Sequence, residues 1–378
     1  MERHWIEEHR ENVRDVVTRC LVSCLDELAP GFAGIVRTAA EHTLLEWPEG
    51  TPPHVRAFAD EAGARAATIP AQDVTVRIKR IEHFSIGRDT DGYGPLTFLG
   101  GLEVLSGNRN LGGLSGLIVS DDGSRMLAVT DNALWVEGRI DSNADGRPTN
   151  LRDVRIAPMI GPNGIPLLNQ DRGDTEAVTL DRRAGELLVS VERVHEIYAF
   201  PWPFEPEARG RRVALPEGIS HLRSNKGMEA IASVSEGPLA GTLLVIAERG
   251  RDNAADMPGF LIGGPRPGTF TVARDASYDA TDLAMLPNGD ALLLERRFTL
   301  RHGIGMRLRL IPAAEIFPGA RAVGTVLLEG GFTDQIDNME GLAVHRDAQG
   351  HTVLTVVSDD NRSILQRTLL LRFRLDLP

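Results

Sequence analysis

The chain has 378 residues, of which 42% are hydrophobic and 25% are charged, a balance typical of a globular protein that buries a core. Its 53 acidic and 41 basic residues give a net charge of -12, which disfavours nucleic acid or an anionic membrane as a partner and favours cations. The two cysteines, Cys20 and Cys24, are too few for a disulfide framework, and no apolar run of about 18 residues predicts a membrane span.

Residues 1–74 differ in pattern from the rest of the chain. Apolar residues recur at three- and four-residue spacing from Trp5 to Leu28, which predicts an amphipathic helix. A second helix is predicted from Phe32 to about Trp47, before the helix-breaking stretch WPEGTPP. Short alternating strands follow, so we predict a helical N-terminal extension at 1–74 and a separate β domain at 75–378.

Five later segments share one plan, and each predicts a β-hairpin. Each segment opens with a polar residue and a short apolar strand, turns at a glycine, and closes with an acid after a strand rich in Leu and Val. The segments are 114–132, 175–193, 228–249, 281–297 and 339–361. The opening residues are Ser115, Glu176, Glu229, Asp282 and Glu340, and the closing acids are Asp131, Glu192, Glu248, Glu295 and Asp359.

The spacing of these hairpins predicts a β-propeller. The opening residues lie 53 to 61 positions apart, which is typical of one four-stranded blade per repeat. Blades of about 51 residues would divide 75–378 into six, with seven as the alternative. The sixth blade would combine early strands near 75–105 with the C-terminal strand QRTLLLRFRL, since joining both termini in one sheet removes an open edge. The predicted fold is therefore all-β.

The recurring acids predict a metal site in the central channel. Equivalent positions of successive blades fall on one ring around that channel, so the acids are expected to converge there. Converging carboxylates repel one another unless they are paired or bind a cation, and oxygen ligands favour calcium over zinc. The alternative is that each acid braces only its own hairpin. The predicted calcium ligands are Glu176, Glu229, Glu340, Asp359, Asp360 and Asn361.

Several motifs resemble a known family. GGLSGL, DTEAVTL, NKGMEAIA, TDLAMLPNGDALLLERRF, NMEGLAV, SDDN and QRTLLLRFRL occur in the order seen in the phytase-like propeller proteins of bacteria, often labelled "esterase-like activity of phytase". The resemblance covers about residues 76–377 and implies hydrolysis of an ester or phosphate ester. It also implies a periplasmic location, because members are mostly exported. The charged N-terminus MERHWIEEHRENVRD is unlike a signal peptide, so a cytoplasmic location is the alternative.

The leading functional hypothesis is a metal-assisted hydrolase that acts on a small, anionic substrate at the channel. The candidates for moving a proton are Glu176, Glu229 and His195. The candidates for binding a phosphate or carboxylate group are Arg193, Lys226, Arg249 and Arg296. One alternative is a lactonase or another carboxyl-ester hydrolase. A further alternative is a non-catalytic propeller that binds a ligand or a protein. The expected state is a monomer.

Overall fold

The fold is a β-propeller of five sheets. The computed structural model describes residues 69–222, 226–250, 256–275, 277–299, 303–363 and 365–377. No α-helix occurs among these residues, and none of their helical segments is long and apolar enough to cross a bilayer. The helices predicted at Trp5–Leu28 and Phe32–Trp47 lie outside the described residues. Short 3₁₀ turns occur at Arg109–Leu111, Leu167–Gln170, Glu217–His221, Gly237–Leu239 and Ala313–Glu315.

The first three blades follow the chain order. Blade 1 contains β5 (Leu114–Val119), β6 (Arg125–Thr130), β7 (Leu134–Ser142) and β8 (Pro148–Pro158), with β1 (Gln72–Asp73) at its outer edge. Blade 2 contains β9 (Thr175–Asp181), β10 (Glu186–Val191), β11 (Glu196–Pro201) and β12 (Arg211–Arg212). Blade 3 contains β13 (Ala230–Ser233), β14 (Thr242–Ile246), β15 (Met257–Gly263) and β16 (Gly268–Val272), with β20 (Arg321–Ala322) at its outer edge.

The last two blades complete the ring. Blade 4 contains β17 (Asp279–Met285), β18 (Ala291–Thr299), β19 (Gly303–Ile311) and β21 (Thr325–Gly330). Blade 5 contains β22 (Asn338–Arg346), β23 (Thr352–Asp359), β24 (Thr368–Leu375), β4 (Leu96–Ser106) and β2 (Val76–Ile81), and β3 (Gly92–Tyr93) pairs with β4. The innermost strands β5, β9, β13, β17 and β22 contact one another in turn, and β22 contacts β5, so they surround one channel.

The predicted propeller is confirmed, but the predicted count of six blades, with seven as the alternative, is wrong. Early strands do join the C-terminal strand, because β4 pairs with β24. They complete the sheet of the fifth hairpin, however, since β24 also pairs with β23. No hairpin remains for a sixth sheet in the described chain. The additional edge strands β1, β3 and β20 account for part of the length that the count had assigned to another blade.

The blades are held together by apolar side chains between neighbouring sheets. Ala291–Leu294 of β18 is buried, because a propeller sheet is covered on both faces by its neighbours. Leu292 and Leu294 pack in one cluster with Leu354 and Val356 of β23. This packing keeps blades 4 and 5 in register and fixes the ends of their inner strands at the channel.

Candidate functional site

Carboxylates collect at one end of the channel because of the antiparallel pairing within each blade. This pairing places the first residues of an inner strand beside the last residues of the second strand, as for Thr175 opposite Val191 and Ala230 opposite Ile246. Acids that open one strand and close the next therefore meet. We call this end the acid mouth, and it comprises Asp174, Glu176, Glu192, Glu229, Glu248, Glu340 and Asp359.

Two groups of three carboxylates form the centre of the acid mouth. Oxygens of Asp174, Glu176 and Glu192 lie within 4.8 Å of one another, and so do oxygens of Glu192, Glu229 and Glu248. Glu192 belongs to both groups and accepts a hydrogen bond from the Gly227 N–H at 3.0 Å. These clusters could bind a metal ion. Their oxygen-only donors fit a hard cation such as calcium better than a thiol-seeking metal.

Burial changes the protonation of these acids. It raises the pKa of Glu176 well above the usual range, and the charges of Glu340 and Asp174 add to the effect. Burial also raises the pKa of Glu229 well above the usual range, and the charge of Glu176 is the second-largest cause. Burial raises the pKa of Asp359 to about 8. Without a cation, Asp359 is therefore expected to keep its proton near neutral pH, and the raised pKa values of Glu176 and Glu229 favour their protonated forms.

The acid mouth is open to solvent on the side of blade 2. Glu192, Glu229 and Glu248 are buried, whereas Asp174 and Glu176 are half-buried. A small molecule would therefore reach Glu176 first. A cation held by the buried Glu192 and Glu229 would lie where water competes less for its ligands.

The predicted substrate-binding residues lie at the acid mouth, but each is already paired with an acid. Arg193 donates to Asp174 at 2.6 Å, and Lys226 pairs with Glu248. Arg249 pairs with Asp279 at 3.3 Å, and Arg296 contacts Glu340 at 3.4 Å. The Arg193 side chain is 72% exposed, which leaves it the most accessible of the four to an incoming anion.

His195 lies beside the acid mouth. It occupies the turn after β10 with a φ of 51°, and its backbone N–H donates to the Glu192 carbonyl at 2.9 Å. Its ring packs against Gly227, where an added Cβ would lie 2.9 Å from Nδ1 and 3.1 Å from Cγ of Glu192. The absence of a side chain at Gly227 thus lets His195 and Glu192 approach the same backbone. The proposed catalytic role of His195 stays a prediction.

The other predicted ligands lie outside the two groups of three carboxylates. Glu340 accepts a hydrogen bond from the Asn338 side chain at 2.7 Å. Asp359 accepts one from the Asn361 N–H at 2.6 Å. The two oxygens of Asp360 accept bonds from Gly113, Arg362 and Thr368, at 3.2, 2.9 and 3.0 Å respectively. Asp360 and Asn361 therefore brace the loop after β23.

Sequence reasoning did not assign three members of the two groups as ligands. Glu192 and Glu248 appeared only as closing acids, and Asp174 was not singled out. The spacing Asp174-x-Glu176 carried a usable signal, because alternate residues of an extended chain point to the same side.

Asp282 differs from the other opening residues. The extra residue of the β17 bulge is Thr281, whereas Ser115 and Glu340 are the extra residues in β5 and β22. The Asp282 carboxylate accepts the Leu342 N–H at 2.6 Å and the Leu283 N–H at 2.8 Å, and it also accepts from the Leu117 N–H. Burial raises its pKa, and no neighbouring acid contributes to that shift. Asp282 therefore lies within the ring, apart from the acid mouth.

Sequence comparison decides the family. A profile described as "Phytase-like: Esterase-like activity of phytase" matches residues 109–362, which is more than half of the chain. The chain belongs to the phytase-like family. The resemblance inferred from the motifs is thereby confirmed, and membership suggests a hydrolase-like propeller. A comparison of the phytase-like chain with curated proteins finds no match.

Three of the solved structures that resemble the phytase-like chain share little sequence with it. A protein of unknown function from Bacteroides caccae is 12% identical, with 67% of this chain and 72% of that chain covered and a TM-score of 0.29. The nidogen/laminin complex is 12% identical, with coverage of 78% and 96% and a TM-score of 0.35. U3-55K is 9% identical, with coverage of 74% and 98% and a TM-score of 0.38. No functional argument follows from these values.

Proposed function

We propose that this phytase-like protein hydrolyses an ester or phosphate ester at the acid mouth, with a divalent cation, most simply calcium, held by its carboxylates. The observation that carries the proposal is the position of Glu192 in two groups of three carboxylates. Such crowding costs several kcal/mol by repulsion and desolvation unless a cation or protons compensate. The family description supports hydrolysis as the reaction class.

The residues of the acid mouth have separable roles in this proposal. Glu192 and Glu229 would hold the cation, which when bound supplies a positive charge that polarises an ester or phosphoryl oxygen. Glu176 is half-buried at the mouth, with a carboxylate oxygen within 4.8 Å of one of Glu192. It is therefore placed to donate a proton to a leaving oxygen. Arg193 would orient an anionic group of the substrate from the rim.

A carboxyl ester or lactone is the second candidate substrate. The observation that favours it is the pairing of Lys226, Arg249 and Arg296 with Glu248, Asp279 and Glu340. A phosphate group would have to compete with those carboxylates for the same guanidinium and ammonium donors. A carboxyl ester makes no such demand.

The test combines thermal unfolding with turnover. The parent, Glu192→Gln and Glu229→Gln are measured with excess calcium and with chelator, on model phosphate and carboxyl esters. Calcium is expected to raise the melting temperature of the parent by mass action, and each variant is expected to lose this shift together with turnover. Glu186→Gln is the matched control, since Glu186 begins β10 and pairs with Arg211 at the opposite end of that strand.

Other outcomes would replace the proposal. A parent that melts identically with calcium and with chelator would indicate an ion-free, salt-bridged channel. Turnover that persists in chelator but is lost in Arg193→Gln would indicate an anion-binding hydrolytic site without metal. No turnover of any ester, with calcium binding retained, would favour a non-catalytic binding propeller.

A further inference from the structure

The opposite end of the channel forms a second pocket. Its volume is about 300 Å³, and all five blades contribute to its lining. We call it the turn mouth, because its residues lie at the turns that follow the inner strands. They are Asp121 of blade 1, Arg182 of blade 2, Val234–Glu236 of blade 3, Met285–Pro287 and Gly289 of blade 4, and Val344–Arg346 of blade 5.

The floor of the turn mouth is apolar and uncharged. Val234 and Leu286 are buried, and Met285 and Val344 are half-buried beside them. His345 is also buried, and its burial, followed by the nearby charge of Arg372, lowers its pKa to about 4. His345 is therefore neutral near pH 7 and adds no charge to the floor. An apolar group of a ligand would displace water there at a gain.

The rim of the turn mouth carries charges of both signs. Arg182 and Asp121 pair with each other, so their charges offset. The Arg346 guanidinium donates to the Gly350 carbonyl at 3.2 Å, and it forms no ion pair with any residue that the structure describes. Glu236 is exposed, and within the described chain its carboxylate also has no ion pair. The rim thus offers one unpaired cation from blade 5 and one unpaired carboxylate from blade 3.

We propose that the turn mouth binds a small zwitterion with an apolar body, namely an apolar amino acid or dipeptide. The ligand carboxylate would meet Arg346, its ammonium group would meet Glu236, and its apolar side chain would cover Leu286 and Val234. The pocket volume is at the lower end of the roughly 300–1,000 Å³ of small-molecule sites, which suits a ligand of this size. A multiply charged anion would find only one unpaired cation at the rim, Arg346, so the turn mouth is a poor site for it. None of these residues belongs to the acid mouth, so the proposal is independent of the hydrolase.

Calorimetric titration of the full chain tests this proposal with four probes. Leucine and leucyl-leucine carry both charges, 4-methylpentanoate lacks the ammonium group, and leucinamide lacks the carboxylate. We expect saturable binding of at least one zwitterion, and roughly tenfold weaker binding of each analogue, since a charge-assisted hydrogen bond contributes about that factor. The Arg346→Gln variant should bind leucine and leucinamide equally weakly, because the leucine carboxylate has lost its partner. The Glu236→Gln variant should bind leucine and 4-methylpentanoate equally weakly, because the leucine ammonium group has lost its partner.

The control variant is Arg77→Gln, an exposed arginine on the outer strand β2, which should bind the zwitterion as the parent does. The proposal is overturned if neither zwitterion binds with a Kd below about 10 mM, a free energy of only about -3 kcal/mol. It is equally overturned if both rim variants keep the parent affinity, because the ligand would then bind elsewhere. Tight binding of 4-methylpentanoate to the parent would exclude the role of Glu236.

Discussion

Blade 2 and blade 4 each place a glutamate beside the start of the inner strand, and the two glutamates have opposite surroundings. In blade 4, Glu295 is fully buried and accepts a hydrogen bond from Arg309 of β19 at 3.0 Å. In blade 2, Glu192 meets the carboxylates of Glu176 and Glu229, and no described basic side chain pairs with it. The position beside the start of the inner strand brings each glutamate to the same end of its blade. Of the two blades, only blade 4 has a basic residue, Arg309, on its third strand to neutralise the glutamate.

This difference separates structural acids from candidate site acids. Asp279 of blade 4 pairs with Arg274 of the preceding connection at 2.7 Å, so a basic side chain compensates both Asp279 and Glu295. The carboxylates of Glu176, Glu192 and Glu229 outnumber the guanidinium groups of the described chain whose charges act on them, those of Arg193 and Arg296. The remaining negative charge must be compensated by protons or by a shared cation. Uncompensated burial is costly, and such clusters are therefore better candidates for function than paired acids are.

The largest expected effect is the unfolding of the propeller ring that contains both blades. Deleting residues 366–378 removes β24, which lies between β4 and β23 in blade 5. We expect the propeller to unfold, since the loss would expose two strand edges and exceed the roughly 5–15 kcal/mol that stabilises a typical domain. Circular dichroism with thermal melting measures this. Melting like that of the full chain would show that the closure of blade 5 is unnecessary.

The next largest effect is expected from Arg309→Leu, which would make the surroundings of Glu295 in blade 4 resemble those of Glu192 in blade 2. Arg309→Leu leaves Glu295 buried without its cation, and we expect it to lower the free energy of unfolding by about 3–5 kcal/mol. Denaturant titration measures the loss. The control is the double variant Glu295→Leu/Arg309→Leu, which should recover most of it. A loss below about 1 kcal/mol in the single variant would mean that Glu295 does not depend on Arg309.

The pH dependence of the unfolding free energy tests whether the carboxyls of the acid mouth lack the compensation that Glu295 has in blade 4. The pKa of Asp359 is raised from 3.8 to about 8, so the folded chain keeps this proton to higher pH than the unfolded chain does. Its contribution to stability is therefore complete below pH 3.8 and is lost as the pH rises through 8. For the chelated protein, we expect a fall of about 1.4 kcal/mol for each pH unit and each proton involved.

Asp359→Asn supplies the control for that titration. Its unfolding free energy, measured by denaturant titration from pH 5 to 8, should vary less with pH than that of the parent, because one titrating group is gone. Equal slopes for the two proteins would contradict the raised pKa of Asp359.

The smallest expected effect concerns Arg193. Its exposed pairing with Asp174 should contribute little to folding, so Arg193→Gln should change the unfolding free energy by less than about 0.5 kcal/mol. If Arg193 orients an anionic substrate, the same variant should raise KM for a model phosphate ester more than for a neutral ester. An equal KM change for both esters would remove Arg193 from substrate binding.

Much of the fold could be predicted from the sequence because the hairpins repeat. The repeats at 114–132 and 339–361 became β5–β6 and β22–β23, and the C-terminal strand closed the ring with an early strand as expected. The blade count was wrong because average blade length cannot show which sheet a strand joins. Pairing of β24 with both β4 and β23 depends on contacts between distant parts of the chain.

The candidate site was predictable as a convergence of acids, but not residue by residue. Glu176 and Glu229 were predicted to converge because they open successive repeats, and in the structure each has a carboxylate oxygen within 4.8 Å of one of Glu192. Glu295 looks the same as Glu192 in sequence, and only the pairing of β18 with β19 brings Arg309 to it. Asp282 opens its hairpin as Glu229 does, and its separation from the acid mouth could not be predicted, because a bulge of one residue has no signature in the sequence.

Asp282 links three inner strands in the middle of the ring. Its carboxylate joins backbone N–H groups of β17, β22 and β5, and β17 also contacts β9 across the ring. The acid mouth lies beside the first residues of these strands and the turn mouth beside their last residues, with Asp282 between the two. If the acid mouth hydrolyses an ester as proposed, this junction of three strands would keep its carboxylates in place while a substrate enters and its products leave.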